Sequence, residues 1–295
     1  MLFDTHAHVN FNTYKEDSDE VIRRALDSGV WMINVGSQYS TSKRAVEMAE
    51  RYKEGVYAAI GLHPLHLETG LVKIKDDPEE IQFKTVEEEF DYEKYKELAK
   101  SPKVVAIGEI GFDYYWKPKT KTKLGLFKEK QEATILRQID LAQELDLPVI
   151  FHCRMAHDDL IEILNTRYNP DAQKGSGLRP PTLSVGASED TKLNGVIHCF
   201  TGNWEQAQKY MDMGFYLAFN GLIFKMNLDD VIKKIPLDRL LIETDCPYLT
   251  PSPIEGRNEP AYVKYVAEKI AEIKGSSYED VAKITVQNAR KLFKI

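Results

Sequence analysis

Cysteine is scarce in this chain, with three in 295 residues and no Cys-x-x-Cys pair. An odd, small number of that kind argues against a disulfide framework and fits a reducing cytoplasm, the localisation expected here. No apolar run reaches membrane-spanning length, and Met1-Leu2-Phe3-Asp4 lacks the basic start of a signal peptide, so no membrane partner is expected. Basic residues are outnumbered, 39 Lys and Arg against 46 Asp and Glu, for a net charge of −7. That balance disfavours a whole-surface grip on nucleic acid and leaves room for a local basic groove. Also missing is a glycine fingerprint after the first strand, where His6-Ala7-His8 stands instead. What is present in quantity is apolar residue, 43% of the chain, enough for a large core.

Apolar runs of strand length alternate with amphipathic helical stretches almost throughout. Strands are expected at Leu2–His6, Val30–Val35, Val56–Ile60, Val104–Gly108, Val149–His152, Gly195–His198, Phe215–Phe219 and Leu240–Glu243. Helical patterns separate them, and two more helices, Ala261–Ile273 and Tyr278–Phe293, close the chain, the last with Ser276 as its expected N-cap. The strands are rich in Val and Ile with little polar alternation, as in a parallel sheet covered on both faces. Eight strand–helix repeats point to a (β/α)₈ TIM barrel, one domain over residues 1–295 with additional C-terminal helices. A doubly wound open sheet is the alternative, disfavoured by the absent glycine fingerprint. Two long connections interrupt the rhythm. Leu62–Val86 follows a strand and belongs to the catalytic face, and Tyr168–Asn194 follows a helix and is expected far from the chemistry.

In a barrel the catalytic groups stand at the C-terminal ends of the strands. Those ends carry His6 and His8, Glu109 with Asp113, His152, His198, and Glu243 with Asp245. Each has an ordinary explanation alone, as a capping carboxylate or a hydrogen-bonded core histidine. Together, four imidazoles plus two of these carboxylates exceed what one tetrahedral ion needs and match two ions sharing a bridging carboxylate, for which Glu109 is the natural candidate. Asp4, two residues before His6, shares its face and is expected to support the site from the layer beneath. Each cysteine directly follows a proposed ligand (Cys153, Cys199, Cys246), so strand alternation should turn it to the opposite face.

The ordered set resembles the TatD family of metal-dependent hydrolases and deoxyribonucleases, within the amidohydrolase superfamily. The resemblance runs through Asp4-Thr5-His6-Ala7-His8, Gly61-Leu62-His63-Pro64, Gly108-Glu109-Ile110-Gly111-Phe112-Asp113, His152-Cys153-Arg154, His198-Cys199-Phe200-Thr201-Gly202, Glu243-Thr244-Asp245-Cys246-Pro247-Tyr248 and Gly256-Arg257-Asn258-Glu259-Pro260. It implies that His6, His8, Glu109 and Asp245 hold one ion and that Glu109, His152 and His198 hold the other. Imidazole and carboxylate ligands suit Zn, Mn or Co and leave Mg open.

The expected reaction is phosphodiester cleavage of DNA by two-metal activation of water, from a single-stranded 3′ end as the resemblance implies, with Asp245 and Glu109 as the catalytic carboxylates. His63, Arg154 and Arg257 are the candidates for holding phosphate. One departure from the compact family pattern follows Asp113-Tyr114-Tyr115-Trp116: a lysine run at Lys117, Lys119, Lys121 and Lys123, then Lys128 and Lys130. Aromatics stack on bases and lysines follow backbone phosphates. The same ligands would serve an ester or amide hydrolase equally, for instance one removing a D-amino acid from tRNA. A non-catalytic scaffold would not demand six such residues.

Overall fold

The computed structural model describes residues 1–68, 70–76, 79–168 and 193–295. In chain order the elements are β1 (Leu2–Ala7), α1 (Ser18–Asp27), β2 (Val30–Val35), α2 (Tyr39–Ala49), β3 (Val56–Ile60), β4 (Gly70–Asp76), β5 (Glu79–Thr85), α3 (Tyr92–Leu98), β6 (Val104–Asp113), α4 (Lys121–Glu144), β7 (Val149–Arg154) and α5 (His157–Tyr168). They continue with β8 (Gly195–Ile197), α6 (Trp204–Asp212), β9 (Tyr216–Phe219), α7 (Asp229–Lys234), β10 (Leu240–Ile242), α8 (Val263–Lys274) and α9 (Tyr278–Phe293). Eight of the strands form one parallel sheet in the order β1-β2-β3-β6-β7-β8-β9-β10. The first and last meet through a bridge between Ala7 and Cys246 and through His8 N–H donating to Cys246 O at 2.9 Å. The result is the expected (β/α)₈ barrel, nearly closed.

Burial explains why these segments hold. All ten residues of β6 are buried, as a strand covered on both faces should be. Phe3, Ile33, Ala59, Ala106, Ile150, Val196, Ala218 and Leu241 form one cluster in which Val286, Ala289, Leu292 and Phe293 of α9 take part. The last helix thus shares a core with the strands' alternate side chains. Of the two closing helices, α8 completes the eighth strand–helix unit and α9 is the addition.

Several boundaries differ from the sequence reading, and β6, expected to end at Gly108, runs on to Asp113. The α9 cap is Ser277, whose Oγ accepts the Asp280 N–H at 3.0 Å, one residue later than expected. Helix α4 begins at Lys121, so part of the lysine run is its first turn. Between β3 and α3, in the stretch read as a long connection, stands an antiparallel hairpin with Gly70 paired to Thr85 and Asp76 to Glu79. The other long connection lies outside the described residues from 169 to 192.

Gly111 is a glycine the site cannot exchange: its φ is +150° and an added Cβ would sit 1.9 Å from the His152 carbonyl oxygen. That close approach presses β6 onto β7 where both carry candidate ligands.

Truncating Leu292, which is 5% exposed, should cost about 2–5 kcal/mol in a urea titration as the α9 contact with the barrel empties. Ser277→Ala should cost about 1 kcal/mol, whereas Ser276→Ala should stay within about 0.5 kcal/mol.

Candidate metal centre

The ligand-bearing strands reach the site in two ways. On β7 and β8 simple alternation suffices: Ile150 and Val196 belong to the inner cluster, and His152 and His198 stand two residues on. On β1 alternation fails. Phe3 lies in the inner cluster and Ala7 in the outer shell, although they are four residues apart, because the register shifts between Asp4 and Ala7. The same happens on β6, where Ile107 faces outward and the register shifts between Gly108 and Ile110, around Glu109. A bulge re-aims a side chain; here two of them turn His6, His8 and Glu109 inward. Asp245 follows β10 with φ +57°, a left-handed conformation that Asp tolerates better than most residues.

Glu109 sits at the centre, 5% exposed. Its Oε2 lies 3.6 Å from His6 Nε2 and 4.0 Å from His8 Nε2. Its Oε1 lies 2.6 Å from His152 Nδ1, 3.7 Å from His198 Nε2 and 3.5 Å from His63 Nε2. Asp245 flanks the same groups, with Oδ1 at 3.4 Å from His8 Nε2 and 3.9 Å from His6 Nε2, and Oδ2 at 3.9 Å from His198 Nε2. All six expected ligands therefore converge.

Hydrogen bonds behind the ligands set their tautomers. His8 Nδ1–H donates to Val35 O at 2.8 Å, so in the neutral ring the Nε2 lone pair faces inward. His198 Nδ1 lies 2.9 Å from Glu243 Oε1, which also accepts the Cys199 N–H and the Asn220 amide. A carboxylate behind an imidazole is the usual support for a metal ligand. His63 has the opposite polarity. Its Nδ1 accepts the Leu65 N–H at 3.0 Å, so the proton is on Nε2 and the ring presents a donor, not a ligand, to the site.

The charges balance locally. Burial opposes ionisation of Glu109, yet the imidazoles of His63 and His152 hold its carboxyl well below the usual range. Burial likewise opposes the charged form of Asp245, and His198, His8 and His6 outweigh it. Burial favours neutral His152, but Glu109 and Asp113 hold its proton to about 9. For His198 burial is overcome by Glu243 and Asp245, and the proton is held to about 10. Burial and the neighbouring His198, stacked 3.6 Å away, push His6 down to about 4. Such a donor set, with inward lone pairs and buried carboxylates facing one another's histidines, fits divalent ions.

A family model described as TatD related DNase matches residues 3–294. The chain belongs to the TatD family. It is 43% identical to a Bacillus subtilis metal-dependent hydrolase, YabD, over 100% of both chains. It is 30% identical to the 3′-5′ ssDNA/RNA exonuclease TatD of Salmonella typhimurium, covering 100% of this chain and 99% of that one. Among solved structures, the TatD homologue YjjV of Escherichia coli superposes with a TM-score of 0.78 at 27% identity, over 100% of this chain and 98% of that one. The TatD family is one of metal-dependent hydrolases.

The substrate candidates fare differently. His63 joins the cluster. Arg154 leaves the end of β7 with its guanidinium 3.9 Å over the Tyr115 ring. Arg257 stands apart: it pairs with Asp17 through both terminal nitrogens, donates to Thr13 O at 2.9 Å and lies 4.2 Å over the Tyr14 ring. Phosphate contact from Arg257 would have to displace Asp17. Lys128 and Lys130 are also engaged, the first with Asp159 at 2.7 Å, the second with Glu87 and Leu67 O. Cys153 and Cys246 face the outer shell as alternation requires. Cys199 does not: its φ of +46° turns the thiol toward His198 and Asp245. Burial first, then Asp245 and Glu243, raise that thiol well above its ordinary value, which keeps it protonated.

Asp4 braces the centre from beneath, accepting the His6 N–H and both the N–H and hydroxyl of Thr244, and so ties β1 to the turn of Asp245. Two other supports escaped the sequence reading. Asn258, fully buried, donates to Thr244 O at 3.0 Å and Tyr248 O at 2.6 Å. Glu243 was visible only as a further carboxylate two residues before Asp245, not as the group behind His198.

Ion binding needs neutral imidazoles, and in the ion-free centre His152 and His198 keep protons up to about 9 and 10. Apparent affinity for Zn or Mn should therefore rise from pH 7 to 10, by up to about tenfold per pH unit for each proton displaced, with proton release measurable by calorimetry in two buffers. Because both values exceed that of an unfolded histidine, their stabilisation is complete below about pH 6.5. It is lost as pH rises through 9 and 10, so the urea midpoint of metal-free protein should fall over that interval.

Proposed function

We propose that this TatD-family hydrolase cleaves phosphodiester bonds of single-stranded nucleic acid from a 3′ end, using two divalent ions. One observation carries the reading. The two oxygens of Glu109 face different histidine sets, Oε2 toward His6 and His8 and Oε1 toward His152 and His198. A carboxylate so placed could be shared between two ions, and Asp245 Oδ1 would complete the first set. Zn, Mn, Co or Mg bound there would supply Lewis-acid activation of water and of a phosphoryl oxygen.

The chain's own groups divide the remaining work. Asp245 is ionised at neutral pH and directs Oδ2 toward His198 and Oδ1 toward His8, so it can orient water and accept its proton. His63 offers Nε2–H to a phosphate oxygen, a donor that its Leu65 contact holds in that tautomer. Glu243 and Asp113 keep His198 and His152 in place from behind. The substrate class and the direction of cleavage proposed follow the Salmonella relative, a 3′-5′ ssDNA/RNA exonuclease.

Asp245→Asn preserves size and tolerance of the left-handed backbone while removing the base. It should lower turnover at least a hundredfold with fold intact by circular dichroism and ions retained by elemental analysis; near-normal turnover would remove the assigned role. Metal-stripped protein given Mg, Mn or Zn singly should shorten single-stranded DNA or RNA labelled at the 5′ end into a ladder. Deacylation of D-aminoacyl-tRNA without any ladder would instead assign the centre to ester hydrolysis.

A further inference from the structure

Above β6 and β7 the barrel rim carries a cluster that the metal centre does not use. Asp113 has one carboxylate oxygen 3.3 Å from His152 Nε2 and accepts the Tyr115 N–H with the other at 2.9 Å. The loop therefore leaves the site in a set direction. Tyr115 is 52% exposed, braced edge-on by Trp116 at 4.9 Å and overlaid by the Arg154 guanidinium. Beside Arg154, Met155 takes a left-handed φ of +58° and leaves its side chain 64% exposed. Large apolar side chains displayed next to a polar centre mark a contact surface more often than chance exposure.

From residue 117 to residue 128 every charged residue is a lysine. Lys117, Lys119, Lys121 and Lys123 are exposed, and none has a carboxylate partner among the described residues. Lys128 and Lys130, deeper in the same stretch, both do. Free ammonium groups beside a guanidinium–aromatic pair, in a chain of net charge −7, select a polyanion that carries flat rings. An acidic protein would satisfy the lysines but leave the paired planes of Arg154 and Tyr115 without a matching face. A duplex would satisfy the lysines too, but its bases are stacked on one another.

Resting on the nucleic-acid reading of the same centre, we propose that Arg154 and Tyr115, flanked by Met155, form a stacking subsite for one unpaired nucleobase. Lys117, Lys119, Lys121 and Lys123 then hold the following phosphates of that strand and lead it away from the metal centre. The subsite makes the enzyme selective for a single-stranded end, since only there is a base face free.

The test compares two phosphorothioate strands of about ten nucleotides, within the span single-strand grooves cover: oligothymidylate and an abasic strand of equal charge. Anisotropy with metal-loaded protein should show oligothymidylate bound roughly tenfold tighter or better. Tyr115→Ala and Arg154→Lys, the latter keeping the charge but losing the plane, should each erase most of that preference. Changing the four lysines to Gln should leave the preference and lower the logarithmic salt slope by about 0.7 for each phosphate no longer held. Equal binding of the two strands by wild type, or an intact preference in both variants, overturns the subsite. An unchanged salt slope overturns the lysine path. Hydrolysis of bis(4-nitrophenyl) phosphate by wild type tests the phosphodiesterase reading separately. A wild type inert toward that diester that still discriminates the strands would remove the reading and support the subsite.

Discussion

A buried carboxylate ringed by imidazoles is costly unless each charge is answered, and Glu109 is answered from every side. His6, His8, His63, His152 and His198 all bring a ring nitrogen within 4.0 Å of it. Taken alone, burial would neutralise Glu109 and strip the protons from His152 and His198; taken together, the opposite charges outweigh desolvation for each. Removing one partner leaves the others buried without compensation, so the centre behaves as one unit. The same balance is what divalent ions would take over, replacing protons on the imidazoles with a stronger charge.

Bringing side chains from five strands to one point conflicts with the geometry of strands. A regular strand sends alternate residues to opposite faces in parallel rows, and rows do not converge. The chain departs from regularity where convergence demands it: the register shifts at β1 and β6, and Asp245 and Cys199 adopt left-handed turns. Asp4 braces these departures through buried hydrogen bonds to Thr244 that cross more than two hundred residues of sequence, and Asn258 holds the same turn from its other side. Strain at the ligand positions is thus supported by the layer directly beneath and beside them.

The centre and the rim share two strand ends. Asp113 contacts His152 with one oxygen and anchors Tyr115 with the other, and Arg154 extends from β7 two residues beyond His152. A strand end that supplies a ligand therefore also sets the position of the surface around it, which is the general advantage of barrel architecture for varying specificity over a constant chemistry. The excess of acid over base in the whole chain does not conflict with this, since the unpaired lysines are gathered on one loop and the first turn of α4.

Residue type and order by themselves determined the strand–helix alternation, the barrel and the six candidate ligands that converge. Strand-end histidines and carboxylates from His6 to Asp245 share one explanation in the proposed metal centre. The β4–β5 hairpin lies within the stretch expected as one long connection. Only the tertiary structure decided that Asp17 occupies Arg257, that His63 presents a donor, that Cys199 turns inward and that Glu109 divides its oxygens between two histidine sets. The His63 tautomer depends on a turn contact with Leu65 that residue type alone does not disclose. The other three depend on a neighbour distant in sequence or on a break in alternation, and local pattern encodes neither: periodicity reports which face a regular strand shows, and these side chains are placed where the strand stops being regular.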